Sequence, residues 1–192
     1  MKIFENIQEQ LKKTLDEPRF EHTLGVMYTA GCMAMAHGYD IQKAMLAGLL
    51  HDCAKCMTHE ERLKLCEAHH VEVTNSELEN KALLHAKAGA ILAKIEYDIT
   101  DVDILHAIAV HTTGEPNMNM LDKIIYIADY IEPGRDKAPN LERVRSLAYK
   151  DLDACMAQIL YDTLQYLNAR GGHIDSTTAD AHEFYKAYRK EI

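Results

Sequence analysis

Apolar positions along this chain recur with the period of an α-helix. Leu84, Ala88, Ile91, Leu92 and Ile95 share one face of a 3.6-residue repeat, as do Ile104, Ile108 and the neighbouring Leu105 and Ala109. Alternation of period two, the mark of a half-buried strand, is scarce. Breaks fall at Pro18, Gly38, the stretch 114–116, Pro133–Gly134, Pro139 and Gly171–Gly172. Helix starts lie between them. Asp40 precedes IQKAMLAGLLHD, Thr58 with Glu61 and Ser76 with Glu79 have capping-box spacing, and Thr100 with Asp103 resembles it. Ser76 then opens a run to about Tyr97, and Asn140 opens another that ends at Gly171. The pattern predicts an all-α protein, a bundle of seven to nine helices, with no internal repeat, linker or low-complexity tract.

The 192 residues suit one domain spanning 1–192. A chain of that length buries roughly 70% of its unfolded surface, so it needs neither disulfide nor metal to fold. Its five cysteines, with no secretory signal at the start, read as reduced thiols. Cys53 and Cys56 form a C-x-x-C but have no second pair, which argues against a zinc or redox role. No apolar run approaches the roughly 20 residues of a spanning helix, so a cytoplasmic protein without a membrane partner is expected. Thirty acidic against 21 basic residues give a net charge of −9, which repels a phosphate backbone and argues against nucleic acid as a partner.

Eleven histidines are the unusual feature, and histidine is the commonest metal ligand. His51 and Asp52 end an apolar helix, where both polar groups are costly unless satisfied. His22 lies in RFEHTLG, His85 in ALLHAKAGAIL, His111 at the end of IAVHTTG, and Asp129 inside the apolar KIIYIADYI. Each comes from a different predicted helix, on or beside the inward face. Gly25, Gly48 and Gly89 lie three or four residues from His22, His51 and His85, where they leave room for close packing or an ion. Four imidazoles and two carboxylates without a thiolate suit a first-row transition ion rather than a Cys-type zinc site. Six ligands fit two ions, with Asp52 able to bridge a pair roughly 3.5–4 Å apart and a shared hydroxide as nucleophile toward phosphorus.

The ordered pattern H…HD…H…H…D resembles the HD superfamily of metal-dependent phosphohydrolases, which are all-helical. The strings HDCAK, LLHAKAGA and HTTGEPNMNMLDKIIYIADYIEPGRDKAP (residues 111–139) resemble its YqeK-type bacterial branch of symmetrical bis(5′-nucleosyl)-tetraphosphatases, over about residues 15–185. The resemblance implies an HD-domain helical bundle that hydrolyses diadenosine tetraphosphate to two ADP. It implies two divalent ions, iron first, with manganese, cobalt or zinc as alternatives. His22, His51, Asp52, His85, His111 and Asp129 become the metal ligands. Lys55, and Thr112, Thr113, Arg135 and Asp136, become contacts to the nucleotide substrate, and Asp52 and Lys55 the catalytic pair. The chain departs from the family pattern in CMT after HDCAK and in Ala86 and Lys87, where Gly and Pro are expected; no proposed ligand is touched. A homodimer is left open.

Read from the residues alone, the phosphate side is thinner. Arg135, Lys137, Arg143, Arg145 and Lys150 concentrate positive charge over residues 135–150. Arg135, after the Pro-Gly turn, reads as a phosphate contact. Arg143 and Arg145 read as solvated helix charges. His37, His59, His69, His70, His173 and His182 read as exposed, and His106 as a local partner of Asp103. Tyr126 and Tyr130 read as core that can border a base. Two other functions fit the same residues: an HD phosphohydrolase acting on a mononucleotide, dNTP or cyclic nucleotide, and a nucleotide-binding module without turnover. Product chromatography separates the first from symmetrical cleavage, and metal analysis with an assay separates the second.

Overall fold

Eleven α-helices and a 3-10 turn make up the computed structural model, which describes residues 2–171 and 174–189 and holds no strand among them. The helices are α1 (Lys2–Thr14), α2 (Glu17–Ala36), α3 (Ile41–Leu50), α4 (His59–Ala68), α5 (Asn75–Glu79) and α6 (His85–Glu96). There follow α7 (Val102–Val110), α8 (Met120–Ile131), α9 (Leu141–Ala148), α10 (Leu152–Ala169) and α11 (Ser176–Tyr185). The expected all-α class holds; the count exceeds seven to nine because two expected runs are broken.

Both breaks have a local polar cause. Thr74, not Ser76, caps the first run in a capping box with Glu77. That helix stops at Asn80, whose Oδ1 accepts from Ala82 N at 3.2 Å and draws the chain out of helical geometry before His85 starts α6. In the second run, Asp151 caps a new helix through Ala154 N at 3.0 Å. Asn140 does not cap: it is left-handed (φ 56°), and its Nδ2 donates to Asp162. Asp101, rather than Thr100, caps α7. Asp40 and the Thr58–Glu61 box act as expected.

Helices α2, α3, α7 and α8 pack around one core that also takes in α10. Helix α8 explains its own string: Leu121, Ile124, Ile125, Ile127 and Ala128 are all buried, so it runs through the centre and can carry Asp129 inside. Gly48 sets the α2–α3 crossing, because a Cβ there would stand 3.0 Å from Met27 Cα. A smaller cluster of Ala54, Cys66, Leu84, Ala88 and Ile91 binds α4 and α6 around the HDCAK turn. The last helix, expected from Thr178 onward, packs on α10 as α11, where Tyr185 Oη accepts from Met118 N at 2.9 Å. Residues 190–192 of that expected helix, together with Gly172 and His173, lie outside the described residues. No helix is long and apolar enough to cross a membrane. Replacing Gly48 by Ala pushes the added Cβ against the backbone of α2, so urea unfolding of Gly48→Ala is expected to show a loss of about 1–3 kcal/mol.

Candidate metal centre

The six residues singled out in the sequence converge from five helices. His22 sits within α2, His51 and Asp52 follow α3, His85 begins α6, His111 follows α7 and Asp129 lies in α8. The ring centroids of His22 and His51 are 5.4 Å apart, those of His51 and His111 5.0 Å, and those of His85 and His111 4.9 Å.

Three of the rings are fixed by one local device. Nδ1–H of His51 donates to Gly48 O at 2.7 Å, that of His85 to Ala82 O at 2.5 Å, and that of His111 to Ile108 O at 2.7 Å. Each acceptor is the carbonyl three residues earlier. His22 sits mid-helix, where no such carbonyl is free, and its Nδ1–H donates to Glu132 Oε1 at 3.0 Å. With every Nδ1 engaged, every Nε2 presents a lone pair inward.

These lone pairs face further acceptors. His85 Nε2 lies 3.0 Å from Asp52 Oδ1 and 3.1 Å from His111 Nε2, and His111 Nε2 is 3.6 Å from Asp52 Oδ1. On the other carboxylate oxygen, Asp52 Oδ2, the Nε2 atoms of His51 and His22 stand at 3.5 and 3.9 Å. Asp129 Oδ1 is 3.0 Å from His22 Nε2 and 3.9 Å from His51 Nε2. The buried atoms His51 Nε2 and Asp52 Oδ1 have no hydrogen-bond partner. Acceptor against acceptor is repulsive unless a cation lies between, and ligand atoms about 2.0–2.2 Å from one ion sit about 3–3.5 Å from each other. The donor set therefore fits a divalent metal, and the two oxygens of Asp52 divide the imidazoles into two pairs.

Burial keeps this set ready to bind. It pushes His51 and His85 down to about 4 from the ordinary 6.5, against the pull of Asp52. Burial opposes the ionisation of Asp52, but His51, His111, His85 and Lys55 around it outweigh that, and its carboxyl stays well below the usual range. Asp129 is lowered in the same way, burial being overcome by His22, His51 and Arg135.

A cleft of about 500 Å³ opens over the centre, bordered by Lys55, Thr112, Tyr126, Tyr130 and Arg135 and passing Asp136 at an exposed position. Lys55 Nζ donates to His85 Nε2 at 3.0 Å, and Thr112 Oγ1 lies 3.2 Å from His111 Nε2. Arg135 Nη2 donates to Asp129 Oδ1 at 2.5 Å. Thr113 does not line this cleft; with Thr112 it lines a neighbouring cavity of about 170 Å³ beside Glu77 and Lys87. Tyr126 and Tyr130 thus belong to core and cleft at once.

Four residues at the site went unread in the sequence or were read otherwise. Arg19, three before His22 in RFEH and so on the same helical face, donates to Asp52 Oδ2 at 2.7 Å. Glu132 is buried beside the Pro-Gly turn, holding His22 and accepting from Gly134 N at 2.6 Å; Gly25 leaves the space its carboxylate occupies. Arg145 is no solvated charge: it donates to the carbonyls of Ile131, Glu132 and Arg135 at 3.0, 3.1 and 2.8 Å and so fastens that loop. Arg62 does the same for the HDCAK turn, donating to Ala54 O and Lys81 O, both at 3.1 Å, and to Lys55 O. Away from the site, His106 pairs with Asp122 and Glu115 rather than with Asp103, which binds Lys43. His69 and His70 are exposed, whereas His37, His59 and His182 are half-buried, His37 Nε2 lying 2.7 Å from Ala148 O. All five cysteines are free.

Residues 19–134 match the HD domain family. A protein of Halalkalibacterium halodurans named "Bis(5'-nucleosyl)-tetraphosphatase, symmetrical" is 42% identical over 159 residues, 82% of this chain and 83% of that one. A protein of the same name from Bacillus subtilis is 40% identical over 157 residues, again 82% and 83%. A crystal structure from Clostridium acetobutylicum, described as a predicted HD superfamily hydrolase involved in NAD metabolism, superposes with a TM-score of 0.92 at 39% identity, covering 97% of this chain and 98% of that one.

Two outcomes follow from the geometry. In metal-free protein the unfolded chain takes up protons between pH 6.5 and about 4 that buried His51 and His85 refuse. Stability therefore falls as the pH drops through that window, and Asp52 and Asp129 extend the loss to lower pH; thermal melts from pH 8 to 4 after chelation measure it. Replacing Glu132 by Gln weakens the grip on His22 Nδ1–H and is expected to lower metal affinity about 10–100-fold by competition titration.

Proposed function

The chain belongs to the HD domain family, and on that premise we propose that it is a metal-dependent hydrolase that cuts dinucleoside tetraphosphates symmetrically, taking diadenosine tetraphosphate to two ADP. The observation that carries this reading is the set of inward Nε2 lone pairs packed against Asp52 and Asp129 beneath a cleft edged with cations. The names of the relatives, symmetrical bis(5'-nucleosyl)-tetraphosphatases, suggest the substrate. As cofactors we take two divalent ions, iron before manganese, cobalt or zinc, since an all-N/O ligand set suits them. His22, His51 and Asp129 would hold one ion and His85 and His111 the other, with Asp52 offering an oxygen to each.

Bound there, the ions supply an acidified water and the positive charge that gathers phosphates in an acidic protein. The chain's own groups orient the reaction. The water oxygen forms a bond to an inner phosphorus while the bond from that phosphorus to the central bridging oxygen breaks. That oxygen leaves with the bonding pair as the terminal oxygen of the second ADP, and the water's proton passes to solvent. Lys55 and Arg135, which edge the cleft, offset the charge that builds on the leaving oxygen. The Thr112 hydroxyl, beside His111, donates to a phosphate oxygen. Asp136 meets the nucleoside at the cleft's exposed rim. Thr113 acts through the adjoining segment rather than from the cleft.

Incubation of diadenosine tetraphosphate with protein loaded with ferrous, manganous or zinc ions, followed by chromatography, is expected to yield ADP alone. AMP with ATP in equal amounts overturns symmetrical cleavage, and no turnover with any ion overturns the enzymatic reading. His51→Ala and Asp52→Ala are expected to lose bound metal and turnover together, by metal analysis and the same assay. Full activity in either sinks the metal mechanism.

A further inference from the structure

A second groove reaches the same centre from the other oxygen of Asp52. The cleft described above opens on the Oδ1 side, where Lys55 Nζ stands at 3.4 Å. On the Oδ2 side stands Arg19, at 2.7 Å. From His22 a groove of about 500 Å³ runs along α2 between Pro18, Glu21 and Tyr28 and the 132–134 loop. Its inner end adjoins a space of about 540 Å³ lined by Arg19 and Arg135, where the carboxylates present, Asp16 and Glu132, are engaged by Arg19 N and by His22. Both volumes lie within the roughly 300–1,000 Å³ of small-molecule sites.

The two grooves have like parts. A cation touching Asp52 stands at each, Lys55 lining the first and Arg19 lining the space that adjoins the second, and each is lined by tyrosine: Tyr126 and Tyr130 in the first, Tyr28 in the second. Arg135 lines both the first cleft and the space that adjoins the second groove. Tyr28 is 60% exposed, so neither the core nor the chemistry argued above accounts for its ring. Glu21 lies seven residues before it on the same helical face, a carboxylate that accepts from hydroxyl or amino groups but repels phosphate. An anion is therefore favoured at the inner end and a neutral aromatic group at the outer end. A nucleoside diphosphate has that order.

We propose that this groove is the second nucleoside half-site: Arg19 engages one diphosphate of the substrate, Tyr28 stacks on the base attached to it, and the other nucleoside lies in the Lys55 cleft. The proposal rests on the dinucleoside tetraphosphate reading above and deepens it. A substrate held by equal halves in two like grooves brings its central bridge to Arg135 and Asp52, and this makes the cut symmetrical.

The test uses the metal-loaded full chain with diadenosine tetraphosphate and with adenosine 5′-tetraphosphate, which keeps four phosphates but has one nucleoside. Tyr28→Ala is expected to lower kcat/KM for the first about ten-fold, mainly through KM, the order that stacking one base on a ring contributes. The second substrate should be unaffected, and Tyr28→Phe should restore the first. Equilibrium dialysis should find two ADP per wild-type chain and one per Tyr28→Ala chain. Rates on both substrates unchanged from wild type in Tyr28→Ala, or equal fold-losses on both, overturn the half-site while leaving hydrolysis intact. A wild-type chain that turns over neither substrate overturns the functional reading instead. One ADP per wild-type chain then overturns the half-site as well, and two ADP falling to one in Tyr28→Ala supports it.

Discussion

Like-signed lone pairs forced together in a buried space are the constraint around which this molecule is arranged. His85 Nε2 and Asp52 Oδ1, both acceptors, stand 3.0 Å apart, and both side chains are almost wholly buried. Neither can turn away, because Nδ1 of His85 is tied to a carbonyl three residues back and Asp52 follows the end of α3. Without a cation such a cluster costs stability; with one, each acceptor becomes a ligand already aimed. Lys55, Arg19 and Arg135 border the cluster and supply positive charge at its edges. This local concentration of charge explains how a chain of net charge −9 can attract polyanionic nucleotides.

Rigidity around the centre comes from arginines that hold backbone rather than ligand. Arg62 ties the carbonyls of Ala54, Lys55 and Lys81, joining the HDCAK turn to the segment that leads into His85. Arg145 ties Ile131, Glu132 and Arg135 and so sets both Glu132 behind His22 and Arg135 over Asp129. A planar guanidinium with five donors can satisfy several carbonyls of an irregular loop at once, where lysine presents a single centre. Loops without helical hydrogen bonds thereby gain the fixed geometry that a metal site requires.

The fold class was legible because apolar period and capping chemistry are local properties. The convergence of the six candidate ligands was legible because histidine and aspartate among the apolar positions of helices are costly without a purpose, as at His51–Asp52 and Asp129. The supports were not. Arg145 looks like any charge on a surface helix until the 131–135 loop is folded beneath it. The break at Asn80 depends on one side chain choosing Ala82 N over the solvent. Thr112 borders both the cleft and the smaller cavity, whereas its neighbour Thr113 borders only the smaller one, a difference set by how the chain leaves α7.

The sequence by itself determined the helical class, starts such as those at Asp40 and Thr58, which faces are apolar and which six polar side chains sit among them, since each of these depends on neighbours within a few residues. Only the tertiary structure decided which oxygen of Asp52 each imidazole faces, that Glu132 stands behind His22, and that Arg19 and Lys55 grip opposite ends of one carboxylate. Those relations join residues up to 110 positions apart. They are fixed by the packing of α2, α3, α7 and α8 around a shared core, a choice made by the whole chain at once and by no segment of it alone.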